Sequence, residues 1–351
     1  MNKKIIKILV GLFFINMVVF SQTRITTDFK DYRLEIFEST NINNLEIKGN
    51  HANINLLNWD KDSISVETIL EIISDKPNLS KEMLDEVTIK IVTYGNTLQV
   101  RTSFSEDFNR TIPYKINYNI FFPKNLSVNL FNSHGSVSLS ECIGGIKTNL
   151  NYCDININNI ATDNNSLANS CEFNYCKGHI NHLGTSQLTV NNSELNIMEV
   201  NDIMINSEYS LIDIKQANSI QGTSKIDNLL IGDISDIKLK ASNSTVNINN
   251  IGVNALFECE SGTLNISNSA KDLSQLTINN SKTATTIKLH PLLSYYINGE
   301  IYKGKLIHPQ QNNIQIIKDL EKISINGTVG VMDQSESKVI IFNKNQNIEF
   351  K

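Results

Sequence analysis

The stretch Cys153-Asp-Ile-Asn-Ile157, Cys171-Glu-Phe-Asn-Tyr175, Ser193-Glu-Leu-Asn-Ile197 decides the fold. Each piece reads as a small residue, a variable one, then apolar–polar–apolar. The pattern extends to Gly135-Ser-Val-Ser-Leu139 on one side and to Ser210-Leu-Ile-Asp-Ile214, Ser244-Thr-Val-Asn-Ile248 and Gly262-Thr-Leu-Asn-Ile266 on the other. Ser224-Lys-Ile-Asp-Asn228 and Ser281-Lys-Thr-Ala-Thr285 are weaker copies. The copies recur about every eighteen residues, a period that signals a repeat architecture. Most carry a second apolar pair upstream, such as Leu188/Val190 or Ile203/Ile205, so each unit holds at least two short strands. Alternation puts the apolar pair on one face and the central Asn or Asp on the other. One such unit cannot bury its apolar face alone; stacked units can. The expectation is an all-β, single-stranded β-solenoid with Gly135, Cys153, Cys171, Ser193, Ser210, Ser224, Ser244 and Gly262 as rung anchors. Asn156, Asn174, Asn196, Asn247 and Asn265 would then form a stacked amide ladder.

Composition agrees with many strands and many turns. The chain of 351 residues holds about fifty isoleucines and about fifty asparagines. Isoleucine is β-branched and suits strands, while asparagine suits turns and left-handed backbone. The five prolines leave 126–290 free of proline, as stacked ladders require, because proline lacks the N–H that a ladder uses. Upstream, strands are expected at Leu45–Lys48, Ala52–Leu57, Ser63–Ile69, Val87–Val92, Leu98–Arg101 and Ile116–Phe122, with a short helical turn capped by Ser80. Downstream strands are expected at Ile314–Ile317, Ile323–Ile325 and Lys338–Phe342. The expected division is a signal peptide over 1–21, an N-terminal β region or cap over 22–130, repeats over 131–290 and a C-terminal β cap over 291–351.

Lys3 and Lys4, the apolar run Ile5–Phe20 and the small Ser21 form a secretory signal pattern, with cleavage before Gln22. Export to the periplasm, the outer-membrane surface or the medium follows, with no transmembrane segment expected in the mature chain. Net charge is only -5 and no basic stripe exists, so nucleic acid is not an expected partner.

Chemistry-bearing residues are sparse. Cys153 and Cys171, read as anchors of neighbouring rungs, would lie close together, and a small buried residue explains both more simply than a disulfide does. Cys176, His179 and His182 have the residue types and tight spacing of a metal site, on what reads as a surface loop. Asp213 and Asp227 occupy equivalent repeat positions with Asp233 and Asp236 nearby, the arrangement that a glycoside hydrolase would need. Acids replacing Asn on a solvated face explain the same pattern. Trp59, Tyr152 and Tyr175 read as core aromatics rather than sugar-stacking ones. No arginine follows position 110, although a polysaccharide lyase would need a basic residue beside clustered acids. No cofactor is implied and no catalytic residue is assigned.

The segment Ile116-Asn-Tyr-Asn-Ile-Phe-Phe-Pro-Lys-Asn-Leu-Ser-Val-Asn-Leu130, followed by Gly135-Ser-Val and the turn Cys142-Ile-Gly-Gly-Ile146, resembles the bacterial adhesin-domain family compared with the head of an auto-transporter adhesin. The resemblance spans roughly 30–290 and departs from the family in using Ser or Cys where glycine often opens later rungs. It implies an exported right-handed β-solenoid (β-helix) of largely uncharacterised function. The expected function is a non-enzymatic adhesin-like scaffold for cell-surface or envelope interactions, with a protein or glycan ligand. The rivals are a glycan-active β-helix enzyme and a periplasmic partner of an envelope regulator.

Overall fold

Period-two alternation governs nearly every strand of the computed structural model, which describes residues 27–74, 77–161, 169–308, 313–331 and 336–351. The signal segment 1–21 lies outside these residues. The described chain is all-β, with 22 strands in one hydrogen-bonded sheet and a single helix, α1 (Pro77–Asp85). That helix starts three residues before the expected cap, and Ser80 is buried within it instead of capping it.

The middle of the chain is a run of parallel layers. Strand β8 (Ser127–Cys142) lies beside β9 (Ile146–Ile160), with Gly135 opposite Cys153 and Leu139 opposite Ile157. The next layer is split into β10 (Asn169–Asn174) and β11 (Lys177–Leu183), both parallel to β9. Next come β12 (Ser186–Asn191), β13 (Glu194–Glu208), β14 (Leu211–Lys225), β15 (Asn228–Ile266) and β16 (Gln275–Ile287). Successive partners such as Glu194, Leu211 and Asn228 show a step of seventeen residues. Each layer has a first arm, a corner and a second arm. Along the second arms, Leu139, Ile157, Ile180, Ile197, Ile214 and Ile231 stack in register, none more than 4% exposed. Each such side chain contributes roughly 1.5–3 kcal/mol by burial.

Register moves two of the expected anchors. Cys171 lies beside Thr148 and Leu188 in the first arm, and Cys176 is the residue that follows Cys153 in the anchor column. Ser224 lies beside Ser207 and Ala241, and Asp227 takes its place between Ser210 and Ser244. The expected amide ladder changes too. Asn156 is followed by His179, Asn196 and Asp213, and Asn265 donates to Asn247 at 2.8 Å. Asn174 belongs to a different column, between Asn151 and Asn191. Both arms carry the same small–x–apolar–polar–apolar pattern, so one arm's motif mimics the other's.

Every layer turns its corner through a left-handed residue that is not glycine. His51, His134, Tyr152, Tyr175, Asn192, Tyr209, Ile226, Asn243, Ser261 and Lys282 all have φ between 50° and 62°. That conformation costs about 1–2 kcal/mol for an ordinary residue and suits asparagine better. Ring stacking offsets the cost at His51, His134, Tyr152 and Tyr175, since such pairs contribute about 0.5–1.5 kcal/mol. Ile226 is 40% exposed and β-branched, the side-chain type least suited to left-handed backbone. Ile226→Asn is therefore expected to stabilise the protein by about 1 kcal/mol, while Tyr152→Asn stays near neutral. Urea midpoints of the two variants check this, and a drop for Ile226→Asn would refute the strain assignment.

Both ends of the run are interleaved. Strands β2 (Asn44–Lys48) and β3 (Ala52–Asn58) lie parallel to β8, although 59–126 intervene in sequence. On their other side stand β6 (Thr97–Phe104) and β7 (Tyr114–Phe122). Antiparallel strands finish that end: β5 (Val87–Tyr94) against β6, and β4 (Ser63–Ser74) against β7. Among the described residues β1 (Thr27–Glu38) pairs only with β4, and β5 only with β6. At the opposite end β21 (Ser337–Lys344) and β22 (Ile348–Phe350) fill the layer next to β16. Strand β17 (Tyr295–Tyr302) and the short β18 (Leu306–Ile307) cover them. An antiparallel pair, β19 (Ile314–Asp319) and β20 (Lys322–Val329), closes on β17.

Candidate functional site

The outward positions of the first arms build a long groove. Its floor comes from β13 to β16, and β21 supplies one end. Two columns line it. Asn206, Thr223 and Lys240 continue through Glu258 and Asn279 to Phe342. Glu208, Lys225 and Ser242 run beside Glu260, Ser281 and Lys344. The groove encloses about 830 Å³, in the range of small-ligand clefts. Its charges are matched: Lys225 pairs with Glu208 at 2.5 Å and Lys240 with Glu258 at 2.8 Å. Glu260 and Lys344 balance the remainder. Phe342 is 48% exposed and gives the groove an aromatic face.

Beneath the groove, the anchor column holds a buried carboxylate. Asp227 is 5% exposed and is held by neutral hydroxyl and amide donors. Its Oδ2 accepts from Ser207 Oγ at 2.6 Å, Ser224 Oγ at 2.7 Å and the Lys225 amide at 3.0 Å. Its Oδ1 accepts from the Ser210 amide at 2.7 Å. Four donors replace the water that burial removes, so the carboxylate ties its own layer to the preceding one. It is not placed for acid–base work. Asp213, expected to be its equivalent, lies in another column between Asn196 and Leu230 and pairs with Lys215 at 2.6 Å. Asp233 stands beside Gln216 and Asp236 beside Ser219. These carboxylates do not converge.

The other expected chemistry is dispersed in the same way. Cys176 is buried, with its thiol donating to the carbonyls of Leu150 and Asn174, both at 3.3 Å. His179 and His182 sit on β11 and contact Asn181 and Asn159. Among the described residues no three His, Cys, Asp or Glu side chains gather as metal ligands. All five cysteines are buried and unbridged. Burial pushes the thiols of Cys142, Cys171 and Cys259 up to about 12. The hydrogen bond to Cys176, reinforced by burial, raises Cys153 as well. Such thiols stay protonated at neutral pH and are poor nucleophiles.

Two aromatic residues expected in the core are on the surface. Tyr152 and Tyr175 are each 52% exposed at the left-handed corners and stack at 4.7 Å with planes 7° apart. His134 extends the stack at 4.9 Å and His51 stands 4.6 Å beyond it. Burial, with the neighbouring charges of His134 and Arg110, lowers the His51 pKa. The rings present mainly their edges, because their faces meet one another. Trp59 remains half-buried, with its indole N–H donating to the Ser63 carbonyl at 2.6 Å. The ladder is hard to read from sequence, since tyrosine is uncommon in left-handed backbone, although histidine and asparagine are enriched there.

No family model and no curated protein matches the chain. Several solved bacterial structures resemble it. One, described as a candidate adhesin from Parabacteroides distasonis, is 13% identical, covers 74% of this chain and 93% of its own, and has a TM-score of 0.32. A candidate cell-adhesion protein from Clostridium sporogenes is 12% identical over 92% of this chain and the whole of its own, with a TM-score of 0.24. A candidate lipid-binding protein from Parabacteroides distasonis is 11% identical over 91% of this chain and 96% of its own, with a TM-score of 0.29.

Proposed function

We propose that this chain is an exported, non-enzymatic β-solenoid scaffold of adhesin type, which holds an extended neutral glycan along its groove. In this reading the parallel layers are the rungs of a right-handed coil. The repeats occupy 131–290, and the regions 22–130 and 291–351 close its two ends. The signal peptide at 1–21 directs the chain out of the cytoplasm, to the periplasm, the cell surface or the medium. The observation that carries the proposal is the groove's charge balance: three lysines and three glutamates line it together with Asn, Ser, Thr and one exposed phenylalanine. Matched charges leave no net field to draw a polyanion. A ladder of hydroxyl and amide groups with one aromatic face suits a chain of neutral sugars, which offers hydroxyls to the ladder and C–H faces to the ring. The repeat supports an elongated ligand, because the same outward positions recur at each layer spacing of about 4.8 Å.

The test is binding of the purified protein to a panel of immobilised neutral and acidic glycans. Retention on a neutral glycan is expected, with Phe342→Ala weakening it about tenfold, the effect of losing about 1.4 kcal/mol of contact. Retention only on acidic glycans, or cleavage of any of them, would overturn the assignment.

A further inference from the structure

Among the described residues, strand β1 (Thr27–Glu38) is an edge strand with one neighbour, β4, and no strand paired to its other side. At twelve residues it is longer than most strands, and long open edges are surfaces that other strands pair with. Its outward face carries Tyr32, Leu34 and Ile36, exposed by 57%, 52% and 66%. Lys30 and Glu38 flank these three on the same face. The opposite face carries Asp31, Arg33, Glu35 and the partly buried Phe37.

This sequence is complementary to itself in one antiparallel register. With Leu34 opposite Leu34 of a second copy, Arg33 faces Glu35 twice and Lys30 faces Glu38 twice. Tyr32 then faces Ile36 twice, so the two apolar triplets merge into one stripe bounded by ion pairs. Aromatic–aliphatic and opposite-charge pairs are the favourable cross-strand combinations. Neighbouring registers lose this match. Centred on Arg33, the pairing sets arginine against arginine and Asp31 against Glu35. Centred on Glu35, it sets glutamate against glutamate. Charges placed only to discourage pairing have no reason to be complementary about a single residue. We infer that two copies of this chain associate through β1, antiparallel about a two-fold axis at Leu34, extending the sheet from one molecule to the next. Symmetric pairing of one patch with itself is the commonest form of homodimer.

Sedimentation of the purified protein over a range of concentrations tests this directly. A dimer that grows with concentration is expected. Arg33→Glu places like charges across the dyad twice and should shift the protein to monomer. Combining it with Glu35→Arg swaps the partners, restores both pairs and should return the dimer. Both positions are exposed, so circular dichroism should be unchanged, which separates lost association from lost folding. Under oxidising conditions Leu34→Cys should cross-link to a covalent dimer, since facing Cα atoms fall within disulfide reach. Tyr32→Cys should not, because the two copies of that position lie four residues apart. The native cysteines are buried and do not compete. A protein that stays monomeric throughout, a double variant that stays monomeric, or a ladder of higher oligomers would each overturn the proposal; the last would point to a second edge strand, β5 or β19.

Discussion

Asp227→Ala is expected to destabilise the protein by about 3–5 kcal/mol, among the largest effects of any single polar substitution in the chain. Alanine removes the acceptor of four hydrogen bonds at once. The hydroxyls of Ser207 and Ser224 can turn elsewhere: Ser224 already reaches Ser244 Oγ at 3.2 Å. The amides of Ser210 and Lys225 lose their carboxylate partner, and an unpaired buried donor costs about 1–3 kcal/mol. The rest of the column suggests a rescue. At the equivalent place one layer on, Ser244 Oγ accepts from the Asp227 amide at 3.1 Å, and Ser210 Oγ accepts from the Ser193 amide at 3.2 Å. Asp227→Ser should therefore recover the bond to Ser210 and lose about half as much as alanine does. Chemical unfolding of the two variants, followed by far-ultraviolet circular dichroism, measures both. Equal losses would mean that the carboxylate acts by its charge rather than as an acceptor.

Removal of residues 337–351 should do more damage than a fifteen-residue tail normally does. Val339, Ile341, Ile348 and Phe350 are nearly or wholly buried in the layer between β16 and β17. At roughly 1.5–3 kcal/mol each they contribute about 6–12 kcal/mol, comparable to the whole stability of an ordinary domain. Their loss also uncovers β16 on one side and β17 on the other, adding two bare edges to the one at β19. The expected result is rapid proteolysis between 288 and 336 and precipitation, with the earlier layers still protected, because each layer contacts only its neighbours. The contrast is β19, nearer the end of the sheet. Ile316 and Ile317 are 42% and 54% exposed, and replacing both by threonine should change stability by less than about 0.5 kcal/mol each. Limited proteolysis followed by mass measurement separates the two cases.

How far the sequence could be read follows from what each residue type betrays. Strand content and the buried aliphatic columns were legible, because Ile, Leu and Val alternate with polar residues from Val128 to Ile287. The flanking strands were legible for the same reason. Assignment of a residue to an arm was not: Cys171-Glu-Phe-Asn and Leu188-Thr-Val-Asn are both first arms, yet the former has the pattern of a second. Asp227 escaped the anchor column because an acid does not look like a small residue, and only its four donors explain its presence there. The exposed Tyr152 and Tyr175 escaped because an aromatic among strands normally marks a core. The groove was out of reach for a different reason. Its end is Phe342, and Asn279 meets Phe342 across 62 intervening residues, a neighbour that chain order does not announce.

Interleaving at both ends also bears on when the parts assemble. A central layer can dock as soon as the next seventeen residues exist, so pairing such as Glu194 with Leu211 is local. Ile54 must wait for Val137, and Ile278 for Ile341. Closing the longer loops costs only about 1.4 kcal/mol more than closing a seventeen-residue one, so the delay is set mainly by the order of synthesis. During that interval β2 and β3 can pair only with β6 and β7 on one side, and β16 remains an open template. The middle should condense first, and the last residues made should be the ones that lock the far end.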